Sequence, residues 1–582
     1  MREMLKKVVS EALNTIGIST PSVVIEHPAE LSHGDYATGA ALQYAKQAGI
    51  APRALAEKIV AALGIVEGVS KVDIAGPGFI NFHLAPATLA ASIEEARKED
   101  MLVLQSLGDG GWGANKNLAG KKIMVEYTDP NPFKEFHIGH LMSNAIGESI
   151  SRLVQFSGAE VKRANYQGDV GPHVAKCIWG MEQDMEQVAS ILHTSSVSER
   201  PAALLGAWYA RGTHAYDTDE KVKKVIDEIN AIVYKIIEGQ PSGDKREVLI
   251  SNMYKAGREL SLAHFEELYE ILGTKFDYYF FESATAPKGL EIVRAHPEVF
   301  EQSDGAVVYK GEKVGLHTRV FITSKGLPTY ETKELGLAEL KAETWECDTS
   351  ITITAHEQAG YFAVVVAAMK EVMPDIAKKI THVSHGMMRF AEGKMSSRTG
   401  NVITGESLLT DLTEAAQERA KESRADNAET LAQNVAVAAI KYQILKQGSG
   451  KDIIFDRERA LSLEGDSGPY LQYAHARTQQ VLEKAKEQNV AAKTDSGAEP
   501  NEVAHLLHRF PEVVENATTL MEPHVLTNYL IVLAAAFNSW YGREQILDGS
   551  TSSPHKVALT DAVRRTLKNG LWILGIPAPE KM

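Results

Sequence analysis

The sequence predicts an α/β protein: an open parallel sheet, preceded by a smaller α+β module and followed by an all-α region. Between residues 121 and 455, short apolar strand patterns that end in Gly-rich or polar turns alternate with amphipathic helices, which is typical of parallel sheets. From about residue 456 onward, aromatic and apolar residues recur at helical spacing. These two patterns define the fold class.

Length and composition narrow the class of protein. A chain of 582 residues is too long for one core, so about two to four domains are expected. The apolar fraction of 44% and the charged fraction of 24% are typical of soluble globular proteins. No apolar run reaches the roughly 18 residues of a membrane span, and the start lacks the apolar block of a signal peptide. Only Cys177 and Cys347 occur, which excludes a disulfide framework, and we expect a cytoplasmic protein without a membrane partner.

Residues 1–110 are predicted to form the α+β module. A strand, a Gly-Pro-Gly turn at 76–78 and a second strand indicate a hairpin that follows several helices. The loop that carries His33 and Asp35 fits either a packed turn or an RNA contact. Residues 106–120 are rich in Gly and Asn and predict an interdomain linker.

The segment 121–158 carries the strongest functional signal. Alternating apolar residues predict a strand over 123–128. Pro130 and Pro132 end this strand, because proline lacks an N–H and restricts the residue before it. Helical spacing then predicts a long amphipathic helix that begins at His137.

The start of this helix has the features of a phosphate site. His137 and His140 lie three residues apart, so both imidazoles project from one face of the first turn. Free backbone N–H groups and the helix dipole favour an anion there, and Gly139 lets a ligand approach the backbone. A strand that leads into such a helix start predicts a nucleotide site. Two histidines at this position could alternatively cap the helix or bind a metal ion.

Polar residues also follow the later strands. Asp169 lies in the glycine turn after the second strand, where it could bond a ribose or hold the loop. Tyr330 and Glu334 stand four apart on one helical face and offer an acceptor and a charge to a cationic ligand, although an ordinary surface pair has the same pattern. Gln358 follows a further strand. Polar groups at successive strand ends predict a pocket at the switch point of the sheet.

A second signal lies at residues 394–401. A strand that ends at Met388 leads into the glycine-bounded loop Lys-Met-Ser-Ser-Arg-Thr-Gly-Asn and then into a capped helix. Lys394, Ser396 and Ser397 can provide cation and hydroxyl contacts to a polyphosphate. Alone, this loop is a weak phosphate motif.

Together, His-Ile-Gly-His at 137–140 and Lys-Met-Ser-Ser-Arg at 394–398 resemble the paired signature of class I aminoacyl-tRNA synthetases. Within that class the chain is similar to the arginyl-tRNA synthetases over essentially its whole length. The family's opening of Glu, Ser-Pro-Asn and Lys is matched here by Glu126, residues 129–131 and Lys134.

The resemblance implies three domains. These are a tRNA-contacting α+β module at 1–110, a Rossmann-like catalytic domain at 118–455 with a helical insertion near 180–270, and a helical anticodon-binding domain at 456–582. The net charge of −15 argues against nonspecific nucleic-acid binding but allows a local basic surface.

Three aromatic residues are candidates for the anticodon side of the last domain: Phe537, Trp540 and Tyr541, near Asn538 and Arg543. Aromatic side chains that are exposed can stack on splayed RNA bases, whereas aromatics at helical spacing more often belong to a core.

The resemblance also implies roles on the arginine side of the catalytic pocket. The residues expected to hold the amino-acid end are Asn131, Gln358 and His140. Tyr330 and Glu334 are expected to face the guanidinium, with Glu126 supporting this acidic pocket. Asp129 is also expected to bind substrate, where it adds negative charge beside the phosphates. Two of these depart from the family pattern, since Glu334 stands where Asp is more usual and Asp129 replaces the usual Ser.

On the ATP side, the implied nucleotide-binding residues are His137, Gly139, His140, Asp169, Met388, Lys394, Ser396 and Ser397. The residues expected to support catalysis are Lys134, His137, His140 and Lys394. Because Ser397 occupies the place of the family's second loop lysine, Lys134 is expected to supply the missing positive charge. No metal site in the protein is expected, and Mg²⁺ enters with ATP.

The implied reaction has two steps. The carboxylate of arginine attacks the α-phosphorus of ATP and releases pyrophosphate, and the terminal ribose hydroxyl of the tRNA then takes the arginyl group. The expected partners are L-arginine, ATP and the tRNA for arginine, and the expected state is a monomer. The alternatives are another enzyme with the same first motif, such as a nucleotidyltransferase, and a non-catalytic tRNA-binding paralogue.

Overall fold

The computed structural model describes residues 1–19, 22–98, 111–193, 201–239, 243–391, 403–421, 423 and 425–582. In these parts of the chain, no helix combines the length and apolar character that a bilayer crossing needs. The predicted order of an α+β module, a parallel sheet and a helical region is confirmed.

The N-terminal module packs helices on a small antiparallel sheet with the strand order β1-β3-β2. Its core includes Leu5, Ile59 and Phe82, each fully buried. The elements are α1 (Arg2–Thr15), β1 (Tyr36–Thr38), α2 (Ala40–Ala48), α3 (Pro52–Leu63), β2 (Val69–Ala75), β3 (Phe79–Leu84) and α4 (Pro86–Arg97).

The central part of the chain is a five-stranded parallel sheet with the order β11-β10-β4-β5-β6. Its strands are β4 (Lys122–Glu126), β5 (Glu160–Gln167), β6 (Tyr278–Phe281), β10 (Thr349–Ala355) and β11 (Ile380–His385). The middle strand, β4, is buried on both faces, as Met124 and Val125 show. This is the usual environment of a parallel strand between two layers of helices.

Helices cover this sheet and form the insertion. Before β6, the helices are α5 (Ile138–Phe156), α6 (Pro172–Glu182), α7 (Met185–His193), α8 (Pro201–Thr218), α9 (Glu220–Ile237) and α10 (Lys245–Leu272). The later ones are α11 (Glu282–Ala295), α12 (Tyr330–Thr344), α13 (Ala359–Val372), α14 (Pro374–Ala377), α15 (Gly405–Ala420), α16 (Ala428–Leu445) and α17 (Arg457–Ala460). Helices α7 to α10 build the insertion, which has its own core around Trp208 and Met253.

Two groups of short strands lie outside the main sheet. The strands β7 (Glu301–Ser303), β8 (Ala306–Tyr309) and β9 (Arg319–Ile322) form a separate antiparallel sheet with its own core. Two further short strands, β12 (Met388–Phe390) and β13 (Ile453–Phe455), pair with each other. Strand pattern alone does not specify which sheet a strand joins, since the pairing depends on contacts distant in sequence.

The C-terminal region is a bundle of four helices: α18 (Gly468–Glu487), α19 (Glu502–Leu520), α20 (His524–Arg543) and α21 (Ser553–Ile573). Its apolar core is continuous with the one beneath α5, so the bundle and the parallel sheet share one hydrophobic cluster. The described half of the predicted linker packs on this bundle, where Trp112 stacks on Phe510 with ring centroids 6.4 Å apart.

The N-terminal module docks on α19 through polar side chains. Asp35 Oδ1 lies 2.5 Å from His505 Nδ1, and the Tyr36 hydroxyl donates to Glu512 Oε1 at 2.8 Å. His508 Nδ1 lies 2.7 Å from the Ser92 hydroxyl. Of the two uses open for the loop around Asp35, these contacts correspond to the packed turn.

Candidate active site

The two predicted signals of the catalytic region meet at the switch point of the parallel sheet. Strand β4 pairs with β5 on one side, and on the other side it pairs with β10, which comes much later in the chain. The turn after β4 and the turn at His356–Gln358 after β10 therefore flank one crevice at the carboxyl ends of the strands. Open α/β sheets bind ligands at this position.

The turn that leads from β4 to α5 has an unusual backbone. Three residues that are not glycine have positive φ: Thr128 at 78°, Asp129 at 46° and Phe133 at 69°. Such a conformation costs about 1–3 kcal/mol per residue and persists only when the surroundings enforce it. Here Ser143 Oγ, on α5, accepts from the Thr128 N–H at 2.9 Å, and Ser261 Oγ accepts from the Phe133 N–H at 2.9 Å.

The histidine turn, residues 137–140, caps α5. His137 is the N-cap, and its backbone N–H donates to His140 Nδ1 at 3.2 Å. The two rings stack with centroids 3.5 Å apart. Because His140 accepts on Nδ1, its neutral ring carries the proton on Nε2, which is then a hydrogen-bond donor.

Both histidines are uncharged at neutral pH. Although His137 is exposed, protein atoms close to its ring partly desolvate it, and this desolvation, with Lys134 nearby, lowers its pKa to about 4. The same desolvation, strengthened by His137, holds the pKa of the buried His140 well below its usual range. The histidine turn thus offers N–H donors whose charge state does not change near pH 7.

The chain that follows the second motif is attached to the histidine turn. Thr404 forms an antiparallel bridge with His137, and the Gly405 N–H donates to the Phe136 carbonyl at 2.7 Å. The predicted ATP contacts in the loop itself, Lys394, Ser396 and Ser397, lie outside the described residues. Met388, before the loop, is partly buried in β12.

An acidic pocket lies on the other side of the crevice; we use this term for Glu126, Asp129 and Glu334 with Lys341 and Tyr361. Lys341 Nζ contacts Glu126 Oε2 at 3.0 Å, and the Tyr361 hydroxyl donates to Glu334 Oε1 at 3.1 Å. Asp129 Oδ1 accepts from the Tyr166 N–H at 2.7 Å. Three carboxyl groups therefore share this pocket with the ammonium of Lys341.

The crowding of carboxyl groups raises the pKa of two of them. Desolvation and the charge of Glu126 raise the pKa of Glu334 to about 8. The same two causes raise the pKa of Asp129 well above its ordinary value. An additional cation in the pocket would favour the ionised carboxylates, so the pocket has the electrostatics of a site for a cationic ligand.

The remaining predicted arginine contacts are Tyr330, Gln358 and Asn131. Tyr330 is the first residue of α12, is 57% exposed, and has Lys333 Nζ 4.9 Å from its ring centroid. Gln358 is exposed and precedes α13. Asn131 reaches across to the turn after β5, where a Cβ on Gly168 would lie 2.2 Å from Asn131 Oδ1.

Asp169 is fully buried and is used within the protein. Its carboxylate pairs with Arg258 Nε at 2.8 Å and accepts from the Ser283 N–H and hydroxyl, each at 2.8 Å. The Tyr254 hydroxyl donates to the same carboxylate at 3.4 Å. Of the two roles open for Asp169, these contacts correspond to holding the loop.

Sequence reasoning missed several residues of the site. Lys341 lies seven residues after Glu334 on α12, so helical spacing could have placed it near the pocket. Tyr361 and the buried pair of Lys333 and Glu282, with Nζ and Oε2 2.5 Å apart, have no local pattern to identify them. Within the described ranges, no group of three or more His, Cys, Asp or Glu side chains is arranged to hold a metal ion.

One prediction for the C-terminal bundle is wrong. Phe537 is fully buried and Trp540 is 5% exposed, so neither ring is free to stack on an RNA base. Both belong to the shared hydrophobic cluster, as aromatics at helical spacing usually do. Tyr541 is partly exposed, and the Arg477 guanidinium lies 5.3 Å from its ring centroid.

A parallel sheet with the strand order found here, joined at its switch point to a His-Ile-Gly-His helix start, defines the catalytic domain of a class I aminoacyl-tRNA synthetase. A family model described as "tRNA synthetases class I (R), catalytic domain" matches residues 103–457. The model for the arginyl-tRNA synthetase N-terminal domain matches 3–84, and that for the DALR anticodon-binding domain matches 471–582. The chain belongs to the arginyl-tRNA synthetase family.

Individual relatives agree with this assignment over their whole length. The arginine–tRNA ligase of Clostridium acetobutylicum is 30% identical over 588 residues, covering 99% of this chain and 100% of the relative. That of Lactococcus lactis is 30% identical over 590 residues with the same coverage. The solved arginyl-tRNA synthetase of Thermus thermophilus matches with a TM-score of 0.77 and 25% identity, covering 100% of both chains. The reaction is the ATP-dependent attachment of arginine to its tRNA for protein synthesis, so the predicted enzyme class, arginine, ATP and tRNA are confirmed.

Proposed function

We propose that the crevice divides the reaction between its two sides. ATP binds over the histidine turn, and the guanidinium of arginine enters the acidic pocket. The observation that carries this proposal is the acidic pocket itself, where three carboxyl groups surround a single paired ammonium beside a helix start suited to phosphate. Asn131 and Gln358, which border the same crevice, are assigned to the amino-acid end of arginine, with His140 at the edge.

The geometry of the pocket supports arginine over lysine. The Tyr361 hydroxyl donates a hydrogen bond to Glu334 Oε1, and we assign Glu334 Oε2 to accept from one N–H of the guanidinium. A planar fork of donors can satisfy two acceptors at once, and we assign Glu126 and Asp129 to the surrounding negative charge and Tyr330 to the pocket rim. Lysine would leave one buried acceptor unpaired, at a cost of about 1–3 kcal/mol for each stranded group.

On the phosphate side the protein stabilises charge and supplies no nucleophile. The carboxylate of arginine attacks the α-phosphorus of ATP, and pyrophosphate leaves to give arginyl-adenylate. The tRNA ribose hydroxyl later attacks the acyl carbon of this intermediate, and AMP leaves. The Nε2–H of His140, the ring of His137, the backbone near Gly139 and the ammonium of Lys134 are assigned to stabilise the negative charge that develops on the phosphates, and the capped start of α5 supports this assignment. Lys394, Ser396 and Ser397 are assigned to the same phosphates, Met388 to the adenine side, and Asp169 to holding the loop after β5.

Mg²⁺ is proposed to arrive with the nucleotide. The described side chains on the phosphate side are imidazoles and an ammonium, whereas Mg²⁺ prefers oxygen ligands in octahedral geometry. Phosphate oxygens and water would therefore supply most of its ligands, and the ion would neutralise charge on the leaving pyrophosphate.

We further propose domain boundaries at 1–110, 118–455 and 456–582, a monomeric state and a cytoplasmic location. The monomer is supported by the contacts within one chain, since the bundle shares its core with the sheet and the N-terminal module docks on α19. The scarcity of cysteine supports a reducing compartment.

The test is pyrophosphate exchange measured with each of the twenty amino acids, with and without tRNA. Of the twenty amino acids, we expect only arginine to support exchange. Glu334→Gln should raise the KM for arginine about 100-fold while the KM for ATP changes less than about 3-fold, because only the guanidinium loses a charged acceptor. Glu331→Gln is the matched control on the same helix. An ATP-specific defect in Glu334→Gln, or exchange with another amino acid, would contradict the assignment.

A further inference from the structure

The helical insertion contacts the turn between β4 and α5 at two consecutive residues, Lys134 and Glu135. We call this turn the catalytic turn. Lys134 Nζ lies 5.1 Å from the centroid of the Tyr209 ring, on α8. One turn earlier on α8, a Cβ on Gly206 would lie 2.7 Å from Glu135 Cγ, so helix and turn are in close contact. Tyr209 is thus a residue of the insertion that touches the charged part of the catalytic turn.

The aromatic ring suits an ammonium that has to act on phosphate. Among the residues that the structure describes, no carboxylate forms an ion pair with Lys134. A carboxylate would fix the ammonium but cancel its charge, whereas the face of a tyrosine ring attracts a cation without neutralising it. The charge of Lys134 is felt along the crevice, where it contributes to the lowered pKa of His137 and His173.

We propose that Tyr209 is a positioning residue for the reaction, which holds the Lys134 ammonium toward the phosphates through its ring face. The inference rests on the role proposed above for Lys134. It assigns the insertion a part in the adenylation step, because the residue that orients the cation lies on α8 and outside both signature motifs.

The chain provides a matched control on the same helix. Tyr216 lies seven residues after Tyr209, and its ring contacts Lys176 and Lys223 with Nζ 4.5 and 5.6 Å from the centroid. Its hydroxyl donates to Asp227 Oδ1 at 3.2 Å. Tyr216 therefore makes the same kind of contact on the same helix, with lysines that are not part of the catalytic turn.

The test is arginine-dependent pyrophosphate exchange in the presence of tRNA, for Tyr209→Leu, Tyr209→Phe, Tyr216→Leu, Lys134→Ala and Tyr209→Leu combined with Lys134→Ala. We expect Tyr209→Leu to lower kcat about 10-fold with little change in the KM for arginine. Tyr209→Phe keeps the ring and should stay within about 2-fold of the wild type. Tyr216→Leu should be unchanged, and Tyr209→Leu should cause no further loss once Lys134 is Ala.

The outcomes separate the two proposals. If Lys134→Ala leaves exchange intact, the proposed role of Lys134 fails and the inference fails with it. If Lys134→Ala is impaired but Tyr209→Leu is not, only the inference is overturned. It is also overturned if Tyr209→Phe is as poor as Tyr209→Leu, if Tyr216→Leu loses as much activity, or if the losses of Tyr209→Leu and Lys134→Ala multiply.

Discussion

Within one crevice, the histidine turn holds two imidazoles, one exposed and one buried, whereas the acidic pocket holds three buried or partly buried carboxyl groups beside one paired lysine. Desolvation acts on both sides but with opposite consequences. It lowers the pKa of His137 and raises the pKa of Glu334. At neutral pH the lowered pKa values therefore favour neutral imidazoles in the histidine turn, while the raised pKa of Glu334 favours its protonated form until a cation enters or the pH rises past about 8.

This difference indicates how the two substrates are recognised. A triphosphate brings its own negative charge and needs fixed donors, which neutral imidazoles and a helix start provide without titrating. A guanidinium brings a fixed positive charge, and a pocket with excess acid gains free energy by ionising around it. We therefore expect binding of arginine to be linked to proton release, and binding of ATP at the histidine turn not to be.

The largest effect should come from breaking the histidine turn. His140→Ala removes the Nε2–H donor, and we expect the kcat of pyrophosphate exchange to fall about 100- to 1,000-fold, as for the loss of one preorganised donor to a charged transition state. The melting temperature reports whether α5 still folds. His140→Gln retains an N–H donor at similar reach and should recover about 10-fold or more of the loss. Equal loss in both variants would contradict a hydrogen-bonding role for the imidazole.

An intermediate effect should appear in the pH dependence of the two KM values. Below the pKa of about 8, the Glu334 carboxyl must lose a proton when arginine binds. The KM for arginine should therefore decrease about 10-fold from pH 7 to 8.5, while the KM for ATP changes less than about 2-fold. In Glu334→Gln the decrease should be absent, and a decrease that persists in this variant would assign the titration to the ligand.

The smallest effect should be on stability. The raised pKa of Glu334 means that the folded chain keeps a proton that the unfolded chain loses above about pH 4.5, so this group destabilises the fold progressively as pH rises toward 8. Glu334→Gln lacks this penalty, and its melting temperature should rise relative to the wild type by about 1–3 °C between pH 6 and 8. The lowered pKa of His137 acts in the opposite direction, because the stability that the neutral ring contributes is lost as pH falls from about 6.5 through 4. A constant difference between the two proteins across this range would argue against a buried, proton-linked Glu334.

The features of this comparison that could be predicted from the sequence are those formed by residues close together in the chain. The strand, the proline-bounded turn and the helix are encoded within one short segment and are found there, although the strand ends at Glu126 rather than at 128 and His137 caps the helix rather than beginning it. Glu334 was identifiable because its helical neighbour Tyr330 and the family pattern coincide. The pairs of Lys341 with Glu126 and of Tyr361 with Glu334 join distant segments, so no local pattern indicates them.

Other expectations depended on burial, which periodicity does not determine. The spacing of Phe537 and Trp540 fits an exposed aromatic surface as well as a core. Both are buried because they pack in the hydrophobic cluster that the bundle shares with the catalytic sheet. Asp169 follows a strand end as a ligand-binding residue would, but Arg258 and Ser283, from two other elements, occupy its carboxylate.

The left-handed backbone of the turn after β4 has a consequence for the order of events during folding. Thr128 is held by a hydroxyl of Ser143 on α5, and Phe133 by a hydroxyl of Ser261 on α10, on the far side of the insertion. Each anchor forms only when its own helix has docked, so the full turn requires both, and an isolated turn would relax to an extended or right-handed conformation. We therefore expect the crevice to acquire its shape late, after the insertion has closed over the sheet, so that a nascent chain released before residue 272 lacks a competent nucleotide site.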